Sequence, residues 1–207
     1  MKLYIMPGAC SMASNIALRE AGIEFELAKV DRRTKRVEGV EFATINPKGY
    51  VPALRLDDGQ VLTENVVVLQ YIADLNPAAK LAPPVGTMER YRLQEWLSFI
   101  NSELHKSFSP LYSSEAGEET KTYARNYLAK RLGYVEEALG NKKYLMGEQF
   151  TVADAYLFTV LTWGAHVAVD IGPKLKSYAD RVRERPHVLE AMTAEGLIRK
   201  QPPTQAG

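Results

Sequence analysis

The stretch PGACSMAS, Pro7 to Ser14, decides how this chain is read. Its Pro-Gly pair ends the short apolar run KLYIM, Lys2 to Met6, which has the character of a buried strand. From Ser11 to Ala21, Met12, Ile16 and Leu18 recur among alanines, and Gly22 follows as a stop signal. That pattern predicts a helix. Cys10, the one cysteine of the chain, therefore falls within a residue of a helix start. Unpaired backbone N–H groups and the positive dipole end favour a thiolate at such a position and lower its pKa. The competing reading is a small packed hydrophobe. In CSMA, Ala13 stands where a Cys-x-x-Cys motif has its second thiol. A dithiol relay within the motif is excluded, so any second sulfur must come from another molecule.

Outward from this stretch, FELAKV (Phe25 to Val30) alternates and predicts a second strand, while Asp31 to Ile45 is charged and weakly patterned. VPALRL and VLT flank Asp57-Asp58-Gly59, a hairpin signal. Val67, Val68, Tyr71, Ile72 and Leu75 then fit one face of a helix over Glu64 to Leu75. Asn76 to Gly86, rich in proline and alanine, reads as a linker. Beyond it only helical patterns occur: Thr87 to about Phe108, Thr120 to Leu139, Val152 to about Ala168, Lys174 to Arg185 and Val188 to Glu195. A small α/β unit thus precedes an all-α unit. The expected division is 1–77, a linker over 78–86, and 87–207.

The 207 residues are 46% hydrophobic and 25% charged with formal net charge +1, an ordinary globular composition. This balance gives no reason to expect a nucleic-acid partner. A single cysteine makes no internal disulfide, which suits a reducing compartment. The N-terminus lacks the apolar stretch of a signal peptide, and no run is long enough to span a membrane. The expectation is a cytoplasmic protein without a membrane or metal partner.

In the helix after the linker, Leu93, Leu97, Ile100, Leu104 and Phe108 form an apolar stripe. Ser98, Ser102 and His105 flank it at helical spacing, which suits the wall of a cleft. Lys106 adds positive potential. In FTVADAYLF (Phe150 to Phe158), Thr151 and Asp154 form a variant capping box, and Tyr156, Leu157 and Phe158 enter the core.

A thioredoxin-like α/β domain with a helix-capped cysteine, joined to an all-α domain, resembles the glutathione transferases. Five motifs sharpen this toward the bacterial beta class, in register across nearly the whole chain: PGACS, NPKGYVPAL (Asn46 to Leu54), LTENVVVLQYIAD (Leu62 to Asp74), SELHKSFSPL (Ser102 to Leu111) and FTVADAYLF. The resemblance implies a homodimer that uses glutathione as co-substrate and attacks a small hydrophobic electrophile. It implies that Glu64 and Asn65 meet the zwitterionic γ-glutamyl head. Val51, before a cis Pro52, pairs with the cysteinyl backbone, and Lys35 takes the glycine carboxylate. His105, Lys106 and Cys10 lie near the sulfur, with Ser11 the alternative thiol-activating residue. Ser98 stands where relatives carry an asparagine that reaches into the neighbouring subunit's site, with Ser102 one turn on. Alternatives are a glutathione-dependent thiol–disulfide reductase with Cys10 as nucleophile, and a non-catalytic ligand-binding module.

Overall fold

The computed structural model describes residues 1–199; positions 200–207, the end of the expected helical region, lie outside it. Strand β1 (Lys2–Ile5) leads through helix α1 (Ser11–Glu20) to β2 (Glu26–Lys29), which pairs parallel to β1. The weakly patterned segment forms a short ribbon, β3 (Arg36–Val37) with β4 (Val40–Glu41), and a 3₁₀ turn over Phe42–Thr44. Strands β5 (Ala53–Arg55) and β6 (Val61–Thr63) complete a mixed sheet of order β2-β1-β5-β6, with β5 antiparallel to both neighbours. Helix α2 (Asn65–Leu75) follows.

The sheet is covered on both faces. One face shares the main core with α1, α2 and the helical half. The other packs Tyr4, Met6 and Ala28 against Val37 and Phe42 of the ribbon segment. Two apolar anchors in an otherwise charged stretch are thus enough to fold it down.

The second half is helical: α3 (Met88–Phe99), α4 (Lys106–Tyr112), α5 (Glu118–Leu139), α6 (Val152–Thr162), α7 (Pro173–Arg183) and α8 (Pro186–Glu195). A π-helical turn, Ile100–His105, joins α3 to α4. The expected stripe is buried throughout, from Leu93 to Phe108. Its last steps, Ile100 to Leu104 to Phe108, are four residues each. Four-residue steps drift around a 3.6-residue helix, and a wider turn keeps them facing the core. Helix α6 ends at Thr162, short of the expected Ala168. A Cβ on Gly164 would lie 2.8 Å from the Val169 carbonyl oxygen, so only glycine permits the turn that folds the chain back there.

Asp154 ties this half together. Its Oδ2 accepts from the Thr151 N–H at 2.9 Å and the Thr151 hydroxyl at 2.8 Å. Its Oδ1 accepts from the Leu145 N–H and the Tyr178 hydroxyl, each at 2.8 Å. Replacing this fully buried acceptor orphans four donors at once. Asp154→Ala should lose about 3 kcal/mol or more of stability, given the strength of bonds to charged groups. Urea denaturation reads the change, and an unchanged midpoint would contradict the assignment.

Candidate active site

A cavity of about 830 Å³ opens between the two halves, lined on one side by Pro7–Cys10, Lys35 and Val51 and on the other by His105, Phe108 and Trp163. Helix α1 places Cys10 there. From Ser11 to Leu18 every residue of α1 is buried. The preceding loop is clamped from the helical half. The Gly8 N–H donates to Glu195 Oε2 at 2.9 Å, and Trp163 Nε1 donates to the Gly8 carbonyl at 2.8 Å.

Cys10 is the N-cap residue of α1, as its sequence position predicts. Its ionisation is the opposite of the expectation. Burial pushes the thiol up to about 12; the N–H groups of Cys10 and Ser11 and the Lys106 charge pull the other way but do not overcome desolvation. The neutral thiol donates to the Val51 carbonyl at 3.1 Å. Ser11 is fully buried and, among the described residues, its hydroxyl bonds only to the Met6 backbone, so it clamps the turn and does not line the cavity.

The Val51–Pro52 peptide is cis. Among the described residues the Val51 N–H has no hydrogen-bond acceptor. Lys35, at positive φ, lines the cavity and makes no ion pair among the described residues. Glu64, the N-cap of α2, receives the Lys48 ammonium at 2.5 Å and the Tyr50 hydroxyl at 2.8 Å on Oε1. These two partners, Lys48 first, hold its carboxyl below the usual range.

The Asn65 side chain departs from the expected contact with the γ-glutamyl head. Asn65 is the first helical residue and its side chain turns inward, where Oδ1 accepts from Ser14 Oγ at 2.8 Å. Among the described residues its buried Nδ2 has no hydrogen-bond partner. Ser98 and Ser102 are exposed and lie outside the cavity lining; the Ser102 hydroxyl bonds back to the Ser98 carbonyl at 3.0 Å. Lys106 is exposed beside the cavity, its ammonium 5.9 Å from the Tyr50 ring centroid.

His105 leaves the π turn toward the cavity. Its Nδ1 lies 2.7 Å from the Tyr156 hydroxyl, and its ring meets Trp163 edge-on at 4.8 Å between centroids. Burial, aided by Lys106, lowers its pKa to about 4, so the imidazole is neutral at pH 7. The Tyr156 hydroxyl donates to Asn101 Oδ1 at 3.0 Å. With Asn101 so assigned, the proton on Nδ1 belongs to His105 and points at the Tyr156 oxygen, leaving Nε2 as an acceptor. Tyr156 and Asn101 were not among the expected site residues. They lie 51 and 4 residues from His105 in sequence, and only the Asn101–His105 spacing on one helix was available as a signal.

Comparison with known proteins follows the same lines. The family model for the N-terminal domain of glutathione S-transferases matches residues 1–74, and that for the C-terminal domain matches 94–186. The glutathione S-transferase GstA of Escherichia coli O157:H7 is 48% identical over 200 residues, covering 95% of this chain and 100% of that protein. A bacterial beta-class glutathione S-transferase from Sphingomonas chungbukensis has a TM-score of 0.92 at 50% identity, covering 96% of this chain and 100% of that one. A sphingomonad glutathione S-transferase complexed with glutathione has a TM-score of 0.92 at 47% identity, with the same coverages. The chain belongs to the glutathione S-transferase family, in the neighbourhood of its bacterial beta class. Among the described residues no helix is long and apolar enough to cross a membrane.

With its thiol pushed up to about 12, Cys10 ionises about tenfold more for each unit of rising pH. Its alkylation by iodoacetamide should climb steadily through pH 10; a plateau near pH 7 would show an activated thiolate. Tyr156→Phe removes the acceptor of the His105 Nδ1 proton. The imidazole should shift toward the Nε2-protonated tautomer in ¹⁵N spectra, and turnover should fall about tenfold through lost orientation. An unchanged tautomer would deny Tyr156 its positioning role.

Proposed function

We propose that this chain conjugates the thiol of glutathione to small hydrophobic electrophiles, with the following division of labour. The observation that carries the reading is the cavity, where the cis Val51–Pro52 edge, Lys35, Cys10 and His105 open onto one space between the halves. Glutathione lies extended along Val51, whose N–H, without an acceptor among the described residues, donates to it as to an added strand. Its glycine carboxylate pairs with Lys35. Its γ-glutamyl carboxylate takes backbone N–H groups at the start of α2, and its ammonium takes the remaining oxygen of Glu64. The Asn65 side chain contributes by holding α2 to Ser14 instead of touching the ligand.

The reaction starts from neutral groups. His105 Nε2 accepts the glutathione proton, and the Lys106 charge and the N-terminus of α1 favour the resulting thiolate. Cys10 stays a neutral thiol near the sulfur, its proton held by the Val51 carbonyl. The raised Cys10 pKa argues against the reductase alternative, in which Cys10 must itself be the nucleophile. Electrophiles bind against the aromatic wall of the helical half.

The same reading includes a two-fold dimer, the setting in which exposed Ser98 and Ser102 could meet a second copy's site, and a cytoplasmic location. It keeps the boundaries 1–77, 78–86 and 87–207, between the end of α2 at Leu75 and the start of α3 at Met88.

Calorimetry tests the pose. Lys35→Ala should weaken glutathione binding by about 1–3 kcal/mol if the bond is charge-assisted. His105→Ala should lower conjugation while leaving glutathione bound. Glutathione affinity unchanged in Lys35→Ala would defeat the pose, and sedimentation as a monomer at micromolar concentration would remove the dimer.

A further inference from the structure

The cavity is furnished with more positive charge than glutathione uses. Arg32 and Lys35 contribute to its lining, and among the described residues no aspartate or glutamate does. Both glutathione carboxylates are already accounted for, one by Lys35 and one by the start of α2. Arg32 is left over. One of its five donors is used, by Nη2 to the Pro7 carbonyl at 3.3 Å, and among the described residues it has no carboxylate partner. That bond turns the guanidinium toward the cavity loop. Tyr112, which belongs to α4 in the helical half, lines the same cavity as Arg32. Phe108, Tyr112 and Trp163 supply aromatic surface on that opposite side.

We infer that the electrophile of this transferase is an aromatic carboxylic acid, its ring against Phe108, Tyr112 and Trp163 and its carboxylate on Arg32. This rests on the transferase reading above and adds the substrate class. An arginine offers a carboxylate two parallel donors, a geometry that a solvated lysine does not match. Arg32 is exposed, so the preference it confers is moderate and weakens with salt. Sulfur of glutathione forms the new bond to the ring carbon. Chloride, in an aryl chloride, leaves with the C–Cl electron pair, and the thiol proton passes through His105 to water.

The test is a matched pair, 4-chloro-3,5-dinitrobenzoate and its carboxamide, which differ in charge at nearly constant shape. For each, kcat/KM is divided by the uncatalysed rate with glutathione. The acid should be favoured by about fivefold at low salt, in line with a charge-assisted contact at an exposed site. Arg32→Gln should reduce the acid's value far more than the amide's and bring the ratio near one. Arg33→Gln, a neighbouring charge outside the cavity lining, should keep the ratio. Turnover of the amide with no preference for the acid, or a preference that survives Arg32→Gln, overturns the inference while leaving the transferase reading intact. A protein that neither binds glutathione by calorimetry nor turns over either compound overturns both.

Discussion

The burial of α1 is the constraint on which the site depends. A helix enclosed on every side from Ser11 to Leu18 cannot shift without opening both halves of the molecule. It carries small residues where neighbours approach and three polar side chains that must find partners inside, of which Ser11 bonds to the Met6 backbone. Ser14 donates to Asn65 at the start of α2, and Asn15 Nδ2 donates to Glu195 Oε1 of α8 at 3.0 Å. The second oxygen of Glu195 then holds the Gly8 N–H. One buried carboxylate therefore connects α1, α8 and the loop that precedes Cys10. The cavity wall is built from both halves because the helix behind it is enclosed by both.

The same burial sets the chemistry. Desolvation disfavours charge on both Cys10 and His105, and it acts in opposite directions on their pKa values, up for the acid thiol and down for the basic imidazole. At pH 7 the Cys10 thiol is therefore held in its neutral form. A site of this kind does not store a thiolate on the protein. It offers neutral, oriented groups and leaves permanent charge to exposed Lys106, Lys35 and Arg32. The backbone N–H groups at the start of α1 add to this field, and their pull on Cys10 is real but smaller than the cost of burying the charge.

The strand and helix order was legible because each element carries its own period or stop signal: Pro7-Gly8 after β1, Gly22 after α1, Asp58-Gly59 in the hairpin. The ribbon over residues 36–41 was not, since two-residue strands have no period to read. Cys10 was correctly placed at a helix start, but its ionisation depends on how much protein covers it, which spacing does not encode. The resemblance put the Asn65 side chain on the γ-glutamyl head, yet the Ser14 hydroxyl that claims it is 51 residues away. Tyr156 was read as core, and its body is; only its hydroxyl, at the end of the ring, belongs to the site. The four-residue steps of Ile100, Leu104 and Phe108 did hold a sign of the π turn, visible once the wider turn is known.

That turn joins stability to chemistry. An i→i+5 turn rotates the residues after it relative to an α-helix, and here it places Asn101 and His105 where both reach the Tyr156 hydroxyl. Tyr156 is two residues beyond Asp154, whose four hydrogen bonds fix the first turn of α6. The orientation of His105 is therefore inherited from the capping box through one rigid, buried ring. A carboxylate that never meets the cavity governs it by deciding where α6 begins, and with it the height at which the tyrosine hydroxyl meets the imidazole.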